Sequence, residues 1–262
     1  MMEISLEGKH ALVGGASRGI GRATAEALAA AGASVTLLSR SAEALREVAS
    51  SLSTEAGQQH HVLALDQLDI DGLRQNLSAH LAEHPSHIWI NNTGGPKGGP
   101  LAEAQPAELE QAFRQHILAA QTILQCVLPG MRAAGYGRIV NVISTSVKQP
   151  IPGLGVSNTI RGAMGNWAKT LAGELGGDGI TVNNVLPGFT ATGRLSEIIS
   201  ARANKRGVSE DDIAAGMRAS VPAGRFAEPS ETAAAICFLA GPAAGYINGI
   251  NLPVDGGRTK SL

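Results

Sequence analysis

Seven short apolar segments separated by helical patterns run from one end of this chain to the other, and they constrain its fold more than any other feature. They lie at residues 10–15, 34–40, 61–66, 87–95, 138–144, 180–188 and 247–257. A strand that is apolar on both sides must be covered on both sides, and helices between successive strands provide that cover in a parallel sheet. The pattern therefore predicts an α/β fold of the Rossmann type: a doubly wound parallel sheet of about seven strands with helices on both faces.

The length of the chain and one irregular segment define its predicted domain organisation. Residues 1–262 suit one such domain with one buried core. Residues 189–224 break the alternation, because they hold scattered Arg, Ser and Asp, a weak helical signal and no strand. An insertion just beyond the carboxyl end of a strand lies where substrates bind in such sheets. We expect this segment to form a substrate lid.

Charge and cysteine content narrow the expected partners. The formal net charge of −1 provides no basic field for nucleic acid, so small molecules or further copies of the chain are expected. Cys126 and Cys237 lie far apart in apolar helical surroundings, which favours a reduced pair over a disulfide or a metal site. The N-terminus lacks the features of a secretion signal, and no apolar stretch reaches the roughly 18 residues that span a bilayer. The chain is expected to be cytoplasmic.

A glycine-rich turn, GGASRGIG at residues 14–21, follows the first strand and opens the first helix. Its glycines let the backbone turn tightly and approach a pyrophosphate, to which the N–H groups at the helix start donate. A second strand ends about 20 residues later, as dinucleotide sites require. The residues expected at the pyrophosphate are Gly15, Ser17, Arg18, Gly19, Ile20 and Gly21.

The end of the second strand predicts which dinucleotide binds. It reads LLSRS and carries no acidic residue that could accept hydrogen bonds from a ribose 2′-hydroxyl. Arg40, with Ser39 and Arg18, is instead suited to a 2′-phosphate, which a guanidinium fork matches well. The cofactor is therefore predicted to be NADP(H). The alternative is that Arg40 only caps an exposed strand end.

Together these motifs resemble the short-chain dehydrogenase/reductase family, closest to its 3-oxoacyl-acyl-carrier-protein reductase branch. The likeness covers nearly the whole chain, including the long segment from residue 221 to 257. It implies an Asp66 contact with adenine, a cofactor loop NNTGG at 91–95, and a nicotinamide segment LPGFTATGR at 186–194. The further cofactor contacts that it implies are Asn92, Gly94, Pro187, Gly188, Thr190 and Thr192.

The catalytic positions of the family are changed in this chain. The family places a serine after the fifth strand, a tyrosine thirteen residues later and a lysine four beyond that. Here the three positions hold Ser144, Ser157 and Arg161. No register shift restores a tyrosine, because the chain has only Tyr136 and Tyr246. The family's catalytic asparagine aligns with His116, so three of the four positions have changed and only Ser144 remains.

These changes affect proton transfer most. Reduction of a carbonyl needs a proton at oxygen, and serine is a far weaker acid than tyrosine. Arg161 stays charged, so it can stabilise an alkoxide or bind the ribose hydroxyls without readily giving up a proton. His116 titrates in a useful range and could feed a proton through Ser144 or Ser157. Alternatively, His116 only satisfies a backbone carbonyl in a helix kink.

Lys148 and a set of three histidines each have both a functional and a purely structural interpretation. Lys148 could reach the pocket from its loop, or it is a solvated loop lysine. His80, His84 and His87 have helical spacing that suggests a metal, but Pro85 interrupts the helix and no acidic partner accompanies them. We therefore expect a surface helix end there and no metal site.

Two functional hypotheses follow. The first is an NADP(H)-dependent oxidoreductase that acts on a carbonyl or alcohol, such as a 3-oxoacyl thioester, with a rebuilt proton-transfer site. The second is an NADP(H)-binding sensor or partner subunit that has lost turnover. By the same resemblance, the protein is expected to be a homotetramer whose long helices, at roughly 103–134 and 156–176, pair across an interface.

Overall fold

The computed structural model describes residues 4–261, which form one seven-stranded parallel sheet with the strand order β3-β2-β1-β4-β5-β6-β7. The order reverses between β1 and β4, which is the switch point of a doubly wound sheet. The fold predicted from the sequence is confirmed. The strands are β1 (His10–Gly14), β2 (Ser34–Ser39), β3 (His60–Ala64), β4 (Ile88–Asn91), β5 (Gly137–Val142), β6 (Ile180–Pro187) and β7 (Asn251–Val254).

Helices cover both faces of the sheet. One apolar core lies between the sheet and helices α1, α2 and α9, and a second lies between the sheet and helices α3, α5 and α6. The helices are α1 (Gly19–Ala30), α2 (Ala42–Ser51), α3 (Ile70–Glu83), α4 (Pro106–Phe113), α5 (Ala119–Ala134), α6 (Gly155–Leu175), α7 (Gly193–Arg206), α8 (Glu210–Ala219) and α9 (Pro229–Ala240).

The continuous apolar character of the strands follows from this double cover. Neighbouring side chains of a strand point to opposite faces, so Leu12 enters one core and Val13 enters the other. Both side chains are fully buried. Alternating polar positions would place unpaired polar groups in one of the two cores.

A π-helical segment, Arg114–Leu118, joins α4 and α5 into one helical run from Pro106 to Ala134. By length and average composition alone this run would be long and apolar enough to cross a membrane, which is weak evidence because the core helix of a folded domain has the same features. Polar residues interrupt the run, so it contains no continuous apolar stretch of the length that spans a bilayer. In the fold, Ile123 and Val127 of this run pack into a sheet-covering core.

The irregular segment at 189–224 forms two helices, although its sequence signal for helix is weak. Helices α7 and α8 share a small apolar cluster of their own, in which Ile199 of α7 and Ile213 of α8 are buried. Phe189 and Phe226 pack against this cluster from the two ends of the segment. The segment therefore forms a small packed unit just beyond the carboxyl end of β6.

Candidate active site

The glycine-rich turn joins the end of β1 to α1 at the carboxyl edge of the sheet. Gly15 and Gly19 both have φ of 58°, a conformation that L side chains rarely adopt. A Cβ atom at Gly21 would collide with the carbonyl oxygen of Gly15. The side chain of Asn92 donates to the Gly14 carbonyl at 3.1 Å and ties the turn to the loop after β4. The turn thus keeps the open backbone that a pyrophosphate needs.

The end of β2 carries the two residues predicted to bind a 2′-phosphate. Ser39 Oγ is buried and has no hydrogen-bond partner among residues 4–261, and Arg40 is exposed. Within residues 4–261, Arg40 forms no ion pair. A buried hydroxyl that has no partner and an arginine that has no carboxylate fit a phosphorylated ligand at this edge.

Arg18 of the turn has a different environment. Its guanidinium lies 3.8 Å from a carboxylate oxygen of Glu197 on α7. Glu197 also pairs with Arg194 at 3.1 Å, and Arg194 donates to the carbonyl of Pro96 at 3.2 Å. Residues 189–224 are therefore tied both to the glycine-rich turn and to the loop after β4. Sequence reasoning missed Glu197, for which the chain offers no local signal.

The remaining predicted adenine and loop contacts lie on the same edge of the sheet. Asp66 is exposed just beyond β3, and its Oδ1 accepts from the N–H of Leu68 at 3.0 Å. Gly94 lies exposed in the loop after β4, where its carbonyl accepts from Gln115 at 3.3 Å.

The segment after β6 meets the glycine-rich turn. Gly188 follows Pro187, and a Cβ atom there would lie 2.7 Å from the Cα of Asp255, so only glycine fits without movement. Thr190 is buried, and its hydroxyl donates to the Gly188 carbonyl at 3.5 Å. The methyl of Thr192 would lie 3.1 Å from a Cβ at Gly19. The two predicted cofactor segments are therefore neighbours.

The positions of Ser144 and of the two changed residues, Ser157 and Arg161, follow from β5 and α6. Ser144 lies just after β5, and its hydroxyl accepts from the N–H of Ser146 at 3.1 Å. Ser157 and Arg161 lie one helical turn apart on α6, so they share a face of that helix. Arg161 donates to the carbonyl of Val142 at 3.1 Å, which brings its guanidinium to the end of β5.

Arg161 is a buried cation without an anionic partner. It is 7% exposed, and its second hydrogen bond goes to the carbonyl of Thr93 at 3.5 Å. Burial lowers the pKa of Arg161 to about 10, so the group is still charged at pH 7. Within residues 4–261 it forms no salt bridge. Such a group offers its remaining N–H donors to the hydroxyls or negative charge of a ligand.

His116 lies in the π-helical segment and contacts the same loop. Its Nδ1 is 2.7 Å from the Thr93 hydroxyl, whereas its Nε2 is buried and has no partner in the described part of the chain. The helix is locally irregular here, as a π-helical segment, but the hydrogen-bond partner of His116 is a side-chain hydroxyl rather than the predicted backbone carbonyl. Burial, followed by the charge of Arg161, lowers the pKa of His116 to about 3. Sequence reasoning missed Thr93, although it stands beside Asn92 in the quoted cofactor loop.

The positions of Lys148, Tyr136 and Tyr246 decide whether any of them could take part in proton transfer. Lys148 is half-buried and follows the short 3-10 turn after Ser144. Tyr136 stands before β5, at the opposite edge of the sheet, where its hydroxyl donates to the carbonyl of Ala240 at 2.7 Å. Tyr246 is fully exposed. Neither phenol is at the end of β5.

A Rossmann sheet with a glycine-rich turn at its switch point defines the class of dinucleotide-binding α/β domains. More specifically, the chain belongs to the short-chain dehydrogenase/reductase family: the family described as enoyl-(acyl carrier protein) reductase matches residues 15–259. The resemblance seen in the sequence motifs is confirmed at this level.

Named relatives cover almost the entire chain. It is 33% identical over 259 residues to gluconate 5-dehydrogenase from Gluconobacter oxydans (strain 621H), covering 98% of this chain and 97% of that protein. It is 34% identical over 257 residues to 3-oxoacyl-(acyl-carrier-protein) reductase from Vibrio harveyi, covering 97% and 98%. The crystal structure of L-sorbose reductase from Gluconobacter frateurii, complexed with NADPH and L-sorbose, is 30% identical and superposes with a TM-score of 0.93 over 100% of both chains.

Proposed function

We propose that this protein is an NADP(H)-dependent oxidoreductase that interconverts a carbonyl and an alcohol, with Ser144, Ser157 and Arg161 handling the reacting oxygen. The observation that carries the proposal is the buried, charged Arg161, which lacks an anionic partner and reaches the end of β5. The family is one of oxidoreductases, and relatives with named dehydrogenase and reductase activities cover 98% and 97% of the chain.

The cofactor is NADP(H), in agreement with the end of β2 and with related structures that hold NADPH or NADP. The glycine-rich turn would bind the pyrophosphate, and Ser39 and Arg40 the 2′-phosphate. Asn92 and Thr192 would flank the cofactor on the two sides of the turn, and Arg161 would bind the nicotinamide ribose. When bound, NADP(H) supplies or accepts the hydride.

The proposed site divides its tasks among three side chains. Ser144 would donate a hydrogen bond to the substrate oxygen, and Ser157 would occupy the place of the family's tyrosine. Arg161 would stabilise negative charge on that oxygen without transferring a proton. This arrangement lacks the phenolic acid of the family, so we expect slow turnover, since a positioned general acid typically contributes about 10²- to 10⁴-fold in rate.

His116 contributes as a neutral group in this proposal. With its pKa near 3, its imidazolium form is scarce at pH 7, which weighs against a relay that starts from a charged His116. Its bond to Thr93 instead supports a role in holding the loop beside Arg161. The relay stays a prediction that a pH–rate profile of His116→Ala tests, because an unchanged profile would remove it.

The substrate class and the assembly complete the proposal. The relatives act on gluconate, L-sorbose and 3-oxoacyl groups by their names, so we propose a polyhydroxy carbonyl compound or a 3-oxoacyl thioester as substrate.

Residues 189–224 would act as the lid. Exposed Phe113 and Leu118 on the helical run support a homo-oligomer, and free Cys126 and Cys237 agree with a cytoplasmic location.

Turnover tests the proposal against the sensor alternative. We expect the protein to oxidise NADPH slowly with at least one member of a panel of ketones, keto-sugars and 3-oxoacyl thioesters. The double variant Ser157→Tyr, Arg161→Lys restores a phenol and an ammonium, so it should be faster on the same substrate by about 10²-fold or more.

Binding measured in parallel separates the two hypotheses. NADPH fluorescence titration should give a similar Kd for both forms, because the adenosine end of the site is unchanged and the ammonium of Arg161→Lys can still donate to the ribose hydroxyls. If NADPH binds tightly while neither form consumes it with any member of the panel, the sensor hypothesis replaces the enzyme.

A further inference from the structure

Histidines gather at one corner of the molecule, far from the proposed active site. Six of the seven histidines fall within the first 87 residues. Four of them form what we name the histidine cluster: His10 at the start of β1, His61 in β3, and His80 and His84 at the end of α3. The cluster lies at the amino edge of the parallel sheet, whereas the glycine-rich turn lies at the carboxyl edge.

Three rings of the cluster lie close enough together to be brought around one metal ion, although the stacked pair His61 and His84 is closer than two ligands would be. Their centroids are 4.9 Å apart for His80 and His84, 5.4 Å for His61 and His80, and 4.0 Å for His61 and His84. A nitrogen ligand lies about 2.0–2.1 Å from Zn²⁺, and the ring centre lies about 1 Å behind it, so tetrahedral ligation separates ring centres by about 5 Å. His80 lies in the last turn of α3 and His84 is the residue at which the helix ends, so both rings lie at the same end of that helix.

The same three rings have nitrogens available for coordination. His10 Nε2 and His80 Nε2 each lie 2.8 Å from the Thr36 hydroxyl, which has one hydrogen and so donates to one ring and accepts from the other. When Thr36 accepts from His80, the Nδ1 of His80 keeps its lone pair, and Thr36 fixes this tautomer as an outer partner does at metal sites. The rings of His61 and His84 form no side-chain hydrogen bond among residues 4–261.

The other nearby histidines, His60 and His87, already form hydrogen bonds through their rings. His60 Nδ1 accepts from the N–H of Val35 at 3.2 Å, and its Nε2 bonds the Ser53 carbonyl at 2.9 Å. His87 Nδ1 accepts from the N–H of His10 at 3.1 Å. The helical triplet suggested by the sequence spacing is therefore not the group that meets, since His61 from β3 takes the place of His87.

Protonation favours binding as well. Burial, and then the neighbouring rings, lowers the pKa of His80 to about 4 and lowers that of His61. The neutral imidazole is the form that binds metals, and a lowered pKa favours it. Nitrogen ligands without carboxylates suit Zn²⁺, Co²⁺ and Ni²⁺ rather than Mg²⁺ or Ca²⁺.

We propose that His61, His80 and His84 bind one divalent transition metal ion of the Zn²⁺ type, with a fourth position open to water. In residues 4–261 no three donor atoms yet converge, and the rings of His61 and His84 stack with 29° between their planes. Binding therefore requires these two half-buried rings to turn about their side-chain bonds, which leaves the backbone in place. The ion would join the end of α3 to β3 and stabilise the fold without touching the active site.

Cobalt spectroscopy tests the proposal directly. Protein freed of metal with EDTA and then titrated with CoCl₂ should develop visible absorption that saturates at one Co²⁺ per chain and that ZnCl₂ abolishes. His61→Gln and His84→Gln should each lose this signal, whereas the matched control His60→Gln should keep it. An absence of saturable absorption in the parent protein, or equal absorption in His61→Gln and His84→Gln, would overturn the proposal.

A thermal measurement guards against variants that merely misfold. At a ZnCl₂ concentration about 100-fold above the Kd, the Tm of the parent protein should rise by about 5 °C, whereas the Tm of His84→Gln should not change. Without metal, His84→Gln should melt within a few degrees of the parent, because the side chain is half-buried and forms no hydrogen bond. A Zn²⁺-induced rise of equal size in His84→Gln contradicts the site.

Discussion

The guanidinium of Arg161 illustrates how a single residue can limit what this site does. A buried charge that is bonded only to the carbonyls of Val142 and Thr93 is costly in a folded chain, since dipoles replace only part of its hydration. Groups that are costly for stability are characteristic of functional sites. The lowered pKa of Arg161, about 10, still leaves the group cationic throughout the physiological range.

Arg40 provides a test of the cofactor at the same scale. Arg40→Gln removes the charge-assisted hydrogen bonds to a 2′-phosphate, which are worth about 1.5–3 kcal/mol. NADPH should therefore bind about 10- to 100-fold more weakly, with little change in the much weaker binding of NADH. The measurement is the Kd for each nucleotide by fluorescence titration.

Arg74 on α3 serves as the control for Arg40. Arg74→Gln removes the same charge from the surface but lies on another helix, where the guanidinium donates to Gln125 at 2.9 Å. Its NADPH affinity should equal that of the parent. Equal loss in both variants would mean that Arg40 acts only through the overall charge.

At the scale of elements, four strands are joined by a row of asparagines. Strand pairing aligns Asn91, Asn141, Asn184 and Asn251 on adjacent strands from β4 to β7. Each side-chain amide donates to the next carbonyl oxygen, at 2.9, 3.0 and 2.8 Å. Buried amides must be paired in this way, because an unpaired one costs about 1–3 kcal/mol.

Substitution in the middle of the row tests this account. Asn184→Leu preserves the approximate volume but leaves the amide of Asn141 without its principal acceptor. The free energy of unfolding should fall by about 1–3 kcal/mol and the Tm by several degrees. Asn251→Thr, at the exposed end of the row, should cost less than about 1 kcal/mol. Chemical denaturation of both variants gives the comparison, and equal costs would contradict the row as a cooperative network.

At the scale of the whole molecule, buried histidines set an acid limit to stability. The pKa of His10 is lowered to about 4 and that of His116 to about 3, in both cases chiefly by burial. Both folded-state values lie below the usual 6.5, so the unfolded chain binds protons first as the pH falls. Their contribution to the free energy of unfolding is fully present above pH 6.5 and is lost as the pH falls toward 4.

This loss is measurable by denaturation in guanidinium chloride at pH 7, 5.5 and 4. The two groups together should lower the free energy of unfolding by on the order of 5 kcal/mol over that interval. His10→Phe removes one of them, so its stability should depend less steeply on pH than that of the parent. If the two slopes were the same, His10 would not contribute to the acid limit.

Much of this protein follows from its sequence because the relevant rules are local. Continuous apolar segments between helical patterns predicted seven strands and both covered faces, and the turn around Gly15 and Gly19 marked the nucleotide edge. Parallel strands all end at that edge, so Arg40 and Ser144 could be assigned to one site without knowledge of any distance. Helices α7 and α8 gave a weak signal, since their burial depends mainly on one another.

Other features depend on the order and register of the strands, so the sequence alone did not predict them. The asparagine row depends on the register of four strands, and the charge state of His116 depends on what buries it. The histidine cluster forms because β1 and β3 flank β2, which brings together residues that are 51 and 19 positions apart along the chain. Periodicity along a chain determines which faces are buried, whereas contacts between distant residues depend on strand order and register, which no local pattern encodes.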